Sequence, residues 1–365
     1  MTIARPRRLA LLLAALPWAA SAQYLGNFDA VNNTGKTARG FEIELEGLSS
    51  PDITDTFGGL NRGFATTVER YGAPRIEDYA GGVRVIYSAS FDALSGNWLA
   101  PGGTFAGQVA SIGTPSAVSF QTPGDNCWSG GGINYAITTP CDHFGVGIAR
   151  NPTRTTYSWL VDDGVTPGGL AKVALNLPAP VMVVVPPAQP AALPVVQARV
   201  EAPPPPEPPE GAEPQFGTAI WVKVYTTEVE HALGLEDLMQ APLLANGARL
   251  RRDANNTEIA WQLLQKDPGN PNSGIIEEGG AVAGKDHAVL RRYEFFEFTG
   301  TYDDETHEAK FAAGFGDSRP GPGDVGAFIG AQNAQLNLAP VPEPGSWALL
   351  LAGLGALGWK ARRRA

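Results

Sequence analysis

The sequence predicts a mainly β fold: two antiparallel β-sandwich domains, Ig-like or jelly-roll-like, joined by a proline-rich linker, with a signal peptide before them and a C-terminal membrane helix after them. Three observations support this. Several stretches alternate apolar with polar residues, thirteen prolines crowd between Pro178 and Pro214, and each chain end carries a short apolar run beside arginines. A period of two gives a strand one dry face and one wet face.

At the N-terminus, Arg5, Arg7 and Arg8 precede the Leu/Ala run from Leu9 to Leu16, and Ala20-Ser21-Ala22 places small residues where a signal peptidase reads. Residues 1–22 therefore read as a secretory signal peptide, cleaved between Ala22 and Gln23.

Residues 23–177 form the first expected domain. In "ARGFEIELEGL", Phe41, Ile43 and Leu45 alternate with Glu42, Glu44 and Glu46; "GGVRVIYSASF" and "TRTTYSWLVDD" behave alike. "NNTG", "FGG" and "PGG" supply turns between them.

Across 178–215 the prolines fix their own backbone angle, lack an amide donor and restrict the preceding residue, so an extended spacer is expected. At about 3.1 Å per residue it would reach roughly 100 Å if fully extended.

The second expected domain, 216–338, carries "TAIWVKVYTTEVE", "EIAWQLLQ" and "VLRRYEFFEFTGTY" as strands and "GLEDLMQAPLL" as a short connecting helix. There is no fixed-period repeat, so the two domains read as different.

The formal charge is -10, although Arg5, Arg7, Arg8, Lys360, Arg362, Arg363 and Arg364 all lie in the terminal segments. Setting those seven cations aside leaves about -17, from -10 minus 7. Such a body repels phosphate backbones, which argues against a nucleic-acid partner. The two cysteines, Cys127 and Cys141, enclose "WSGGGINYAITTP". In an exported chain this is the pattern of one disulfide closing a small loop, a contribution of roughly 3 kcal/mol by chain entropy. A zinc site drawing on Cys141, Asp142 and His143 lacks a second ligand cluster.

No catalytic constellation stands out. His143, His231, His287 and His307 are scattered without a metal-binding spacing, and neither a nucleophile elbow nor a P-loop is present. Asp162-Asp163 and Asp303-Asp304-Glu305 could hold calcium weakly or serve as hydrolytic carboxylates. Their flanks are turn-like, so no catalytic residue, metal ligand or cofactor is assigned. Gly353, Gly355 and Gly358 match a dinucleotide fingerprint letter for letter but lie inside an apolar run, without the strand and helix that the fingerprint requires.

That apolar run, Trp347 to Trp359, is thirteen residues without a charge. As a helix it spans about 20 Å against a hydrocarbon core near 30 Å, a marginal crossing. Lys360 and Arg362–Arg364 would stay on the cytoplasmic side. Val341-Pro342-Glu343-Pro344, the apolar segment and the terminal cations together resemble the PEP-CTERM sorting signal of Gram-negative bacteria, over 341–365.

That resemblance implies recognition of Pro342, Glu343 and Pro344 by a membrane-embedded exosortase, transient residence in the inner membrane with Arg362, Arg363 and Arg364 as the retention cluster, cleavage, and release to the cell surface or extracellular matrix. "NFDAVNNTGKTARGFEIELEG", "WVKVYTTEVE" and "YEFFEFTGTYDDETHEA" resemble segments of other PEP-CTERM proteins of uncharacterised activity.

Two roles fit. One is a structural or polysaccharide-associated binding protein, with Trp98, Trp128 and Trp221 available to stack on sugars. The alternative is a secreted polysaccharide hydrolase whose carboxylates converge only in three dimensions.

Overall fold

The computed structural model describes residues 23–56, 71, 73–99, 141–185, 195–205, 213–229, 258–281, 288–310, 320–321 and 323–337. All six alternating stretches become strands: β2 (Ala38–Glu46), β5 (Gly82–Ser88), β9 (Arg154–Asp162), β13 (Ile220–Val229), β14 (Glu258–Leu264) and β16 (Ala288–Phe298). Among the described residues there is no α-helix, and no helix is long and apolar enough to cross a membrane. The segments expected to be helical, 234–244 and 347–359, lie outside the described residues.

Two sheets carry most of the body. The five-stranded sheet runs in the order β10 (Leu170–Leu175), β9, β2, β5, β4 (Arg75–Tyr79). The seven-stranded sheet runs β14, β13, β16, β19 (Val325–Asn337), β1 (Gln23–Val31), β8 (Cys141–Ile148), β3 (Ile53–Thr56). A third sheet joins β11 (Val181–Val185), β12 (Val195–Glu201) and β15 (Ile275–Ala281). The small pairs are β6 (Ser90–Asp92) with β7 (Asn97–Leu99) and β17 (Thr301–Tyr302) with β18 (Ala309–Lys310). Every pairing among the described strands is antiparallel.

The alternation explains the core. Phe41, Ile43 and Leu45 of β2 are buried, and Glu44 and Glu46 on the opposite face are only partly so. Phe28 of β1 lies 4.6 Å from the Tyr157 ring of β9, and Phe41 stacks on Phe144 of β8 at 4.1 Å, so the two larger sheets share one aromatic core. Trp159, fully buried, donates its indole N–H to the Val31 carbonyl at 3.1 Å, which satisfies its polar edge. Burying each such ring is worth about 1.5–3 kcal/mol.

Two expectations need correction. Residues 23–177 and 216–338 do not build separate cores: Phe28, Ile43, Val222, Phe295 and Leu336 belong to one buried cluster, and residues 22–338 form one compact unit. The expected spacer also contributes strands, since β12 pairs with β11 on one side and with β15 on the other. The prolines stand outside these strands. Between Pro180 and Pro186, and between Pro194 and Pro203, the chain reads "VMVVV" and "VVQARVEA", free of proline. Along β12, Val196, Ala198 and Val200 are buried and Gln197, Arg199 and Glu201 are exposed. Local alternation therefore outweighs the regional proline content.

The last described strand, β19, occupies the middle of the seven-stranded sheet. It pairs along its length with β16 and with β1, in registers that put Asn337 opposite both Ala288 and Gln23. Its sequence, "VGAFIGAQNAQLN", shows no alternation because residues 330 to 336 are buried on both faces. Small residues let the neighbouring backbones close in: a Cβ at Gly330 would come within 2.5 Å of the Asp29 carbonyl oxygen.

Replacing Ala331, which faces Asp29 on one side and Glu294 on the other, by proline removes a ladder donor from a central strand. Ala331→Pro is expected to lower stability by at least about 3 kcal/mol, read by urea unfolding. A loss below about 1 kcal/mol would show that β19 is not integral to the sheet.

Candidate functional site

One face of the seven-stranded sheet changes character along its length. At one end Val31, Trp221, Phe296, Phe328 and Ala331 pack as a second apolar cluster. Farther along the same strands, the period of two brings Tyr225 of β13, Arg292 and Glu294 of β16, Asn333 of β19 and Asp29 of β1 to the same face, with Arg292 in register with Tyr225 and Asn333.

These groups form one network around a guanidinium. Arg292 Nε donates to Glu294 Oε1 at 2.9 Å, one Nη donates to Asn333 Oδ1 at 3.2 Å, and the other reaches Asp29 Oδ2 at 3.4 Å. The Tyr225 hydroxyl donates to the second Glu294 oxygen at 3.1 Å. The side chains of Glu294 and Asp29 are 0% and 1% exposed and that of Arg292 9%. Burial alone would lower the Arg292 pKa, but Glu294 and then Asp29 more than offset it and hold the guanidinium above its ordinary value. Lys223, opposite Glu294 in register, lies over the Tyr225 ring at 4.8 Å and supplies a second cation on this face.

The carboxylates thus converge, but on a guanidinium and out of solvent. Neither is presented to a substrate.

A second feature is a cavity of about 60 Å³ between the two larger sheets. Val146, Ile148, Tyr157, Met182 and Ala334 line it with apolar surface, and Asn151, Thr155 and Pro180, all half-buried, stand among its lining. Asn151 Nδ2 donates to the Met182 carbonyl at 2.8 Å, which ties the start of β11 to the β8–β9 turn and fixes that wall. Gln332 also lines the cavity and is 2% exposed, beside the Tyr157 phenol. Burial pushes the Tyr157 phenol well above its ordinary pKa, and the neighbouring Gln332 side chain draws it back only in part.

The residues singled out in the sequence distribute differently. Gln23 opens β1, while Ala20, Ala22, Cys127, Trp128, Pro342–Pro344 and Arg362–Arg364 lie outside the described residues. Cys141 opens β8 opposite Val31; the disulfide, which needs Cys127, falls outside as well.

Trp98 and Trp221 are 7% and 0% exposed, packed against Phe91 and Trp261, so neither is available to stack on a sugar. The paired acids serve turns. Asp163 Oδ1 accepts the Val165 and Thr166 amides, and Asp303 Oδ1 accepts those of Glu305 and Thr306. Lys310, followed by the turn amides, holds the Asp303 carboxyl well below the usual carboxylate range. Among the described residues no three His, Cys, Asp or Glu side chains form a group able to hold a metal ion.

Sequence reading missed both the Arg292 network and Gln332. The spacing of Arg292 and Glu294 within "RRYEFF" was a usable signal, because two opposite charges two apart share a strand face.

Residues 340–364 match the family model of the PEP-CTERM protein-sorting motif. The motif implies processing by an exosortase-type enzyme and sorting to the bacterial cell surface or the extracellular space. No curated protein matches the chain.

Removing one partner of a buried ion pair strands the others. Arg292→Met is expected to cost about 3–5 kcal/mol in chemical unfolding, because Asp29 and Glu294 are left uncompensated. A cost under about 1 kcal/mol would mean that the network is not closed to water.

Proposed function

We propose that this chain is an exosortase-sorted protein of the cell surface or extracellular matrix, with a structural or polysaccharide-associated binding role for its body. The observation that carries the reading is the sorting motif at residues 340–364. Only Leu338 and Ala339 separate it from the end of β19, so a folded body is delivered directly to the processing site.

The body suits endurance in that setting. Its main core joins strands from both parts of the chain, and the buried carboxylates of Asp29 and Glu294 are both paired with Arg292. In this reading the N-terminal signal, cut between Ala22 and Gln23, starts export, and the Pro342-Glu343-Pro344 element ends it. The apolar segment 347–359 holds the chain in the inner membrane between the two events, with Arg362–Arg364 on the cytoplasmic side. The hydrolase reading gains nothing from the converging carboxylates, since Asp29 and Glu294 are bound to Arg292 and closed off.

Mass spectrometry of the C-terminus of surface material, from cells with and without the sorting enzyme, tests this. Loss of the tail that carries Arg362–Arg364, only when the enzyme is present, is the expected result. Released protein with the tail intact would overturn the sorting role.

A further inference from the structure

We infer that Leu94, on the turn of the β6–β7 hairpin of one copy, seats in the cavity between the two larger sheets of the next copy, so that copies join head to tail. This rests on the structural role proposed above and gives that role a contact.

The first feature is the turn. Leu94 is 99% exposed, the highest value among the large apolar side chains described. Its backbone is fixed: Asp92 Oδ1 accepts the Leu94 amide at 3.1 Å, Asp92 Oδ2 accepts the Ser95 hydroxyl at 2.6 Å, and the Gly96 amide donates to the Asp92 carbonyl at 2.8 Å. A single exposed leucine is ordinary. One presented on a fixed turn loses little freedom when it is seated.

The second feature is the cavity. Gln332 is engaged with the Tyr157 phenol, Asn151 donates to the Met182 carbonyl, and no charged residue lines the space. What it offers an occupant is mainly apolar surface from Val146, Ile148, Met182 and Ala334, with the half-buried Tyr24 and Thr155 where it meets solvent. At about 15 Å³ for each water-sized group, 60 Å³ takes about four. A leucine side chain has four carbons.

Charge favours the same pairing. Asp92 is ionised on the turn, its carboxyl held below the usual range by the Ser95 hydroxyl and then the Leu94 amide. Arg150 and Arg154 bracket Asn151 and Pro152 of the cavity lining, and each also meets one carboxylate, Asp52 or Glu46. In an otherwise acidic body, that balanced mouth admits an acidic turn.

The two features lie at opposite ends of the sandwich, so no copy fills its own cavity. Thr155 and Tyr157 line the cavity near the start of β9. The hairpin packs at the far end, where a Cβ at Gly168, in the turn after β9, would come within 2.8 Å of Phe91. From Tyr157 to Asp162 the strand covers about 17 Å. A contact between unlike ends leaves one turn and one cavity free at each step, which builds open chains and not closed pairs. One seated side chain falls far short of the roughly 1,200 Å² of a stable pairing, so the contact is weak and suits copies held at high density on a surface.

Sedimentation velocity on the full chain, carried one copy per lipid nanodisc so that no free detergent competes for the cavity, tests this. The mean mass is expected to rise past the dimer without a plateau as concentration approaches millimolar. Leu94→Asp removes the knob at a fully exposed position, and Thr155→Phe fills the hole; each alone is expected to associate at least tenfold more weakly. An equimolar mixture of the two restores one knob and one hole and is expected to stop at the dimer. Ala179→Phe, which fills the same cavity from the loop before β11, repeats the test outside the strands.

A wild-type chain that stays monomeric overturns the contact and leaves sorting, read at the C-terminus in cells, untouched. Association of Leu94→Asp as strong as wild type, or mixtures of it with both cavity variants that stay monomeric, also overturns it. A restored dimer in a protein whose tail is not processed in cells keeps the contact and overturns the surface role.

Discussion

The structure depends on one placement: the final strand of the body closes its largest sheet from the middle. β14, β13 and β16 form one side, β1, β8 and β3 the other, and β19 is the strand between them. Until Val325–Asn337 is available, the two sides have no ladder in common, and the core that joins Phe28 to Phe295 and Leu336 cannot be completed. The contacts that matter most are thus among the most distant in sequence, since Gln23 pairs with Asn337. Such a topology folds slowly and late. For an exported chain, that couples completion of the fold to passage of the residues that directly precede the sorting motif.

The same placement explains the chemistry of the buried network. A central strand covered on both faces has no wet side on which to leave polar residues, so Asn333 and its neighbours are satisfied from adjacent strands. Arg292, Glu294 and Asp29 lie on β16 and β1, the two strands that flank β19, and Arg292 reaches across it to Asp29. Whatever this ion network contributes to net stability, it fixes which strands can lie side by side, because any slip in register separates the charges. Gln332, on the opposite face of the same strand, lies beside the Tyr157 phenol of β9.

Much of the fold was legible where the sequence alternates or is rich in aromatic and β-branched residues. "FEIEL", "VRVIY", "TYSWLV", "IWVKVY" and "RRYEFF" each announce a strand in this way, although in "RRYEFF" both faces are buried and the polar one is closed by the Arg292 network. Other central strands were not legible. β1, β8 and β19 carry Gly26, Gly145, Gly147, Gly330, Ala331 and Ala334, small residues of low strand propensity, and at Gly330 the absence of a side chain lets the Asp29 carbonyl approach closely. The division into two domains was misread because a run dense in proline suggested a spacer, while its proline-free intervals supply β11 and β12. The candidate cavity was invisible to sequence reading for another reason. Tyr157, Met182 and Gln332 come from three distant parts of the chain, and only the packing of the sheets brings them together.

The central claim is that residues before and after the proline-rich stretch form one cooperative unit locked by β19. Native-state hydrogen exchange on the full chain addresses it directly. The slowest amides of β1 and β8 and those of β13 and β16 should exchange through the same global opening, with equal free energies and equal sensitivity to denaturant. Two separate openings, one for each side of the proline-rich stretch, would contradict the account and restore the picture of independent domains.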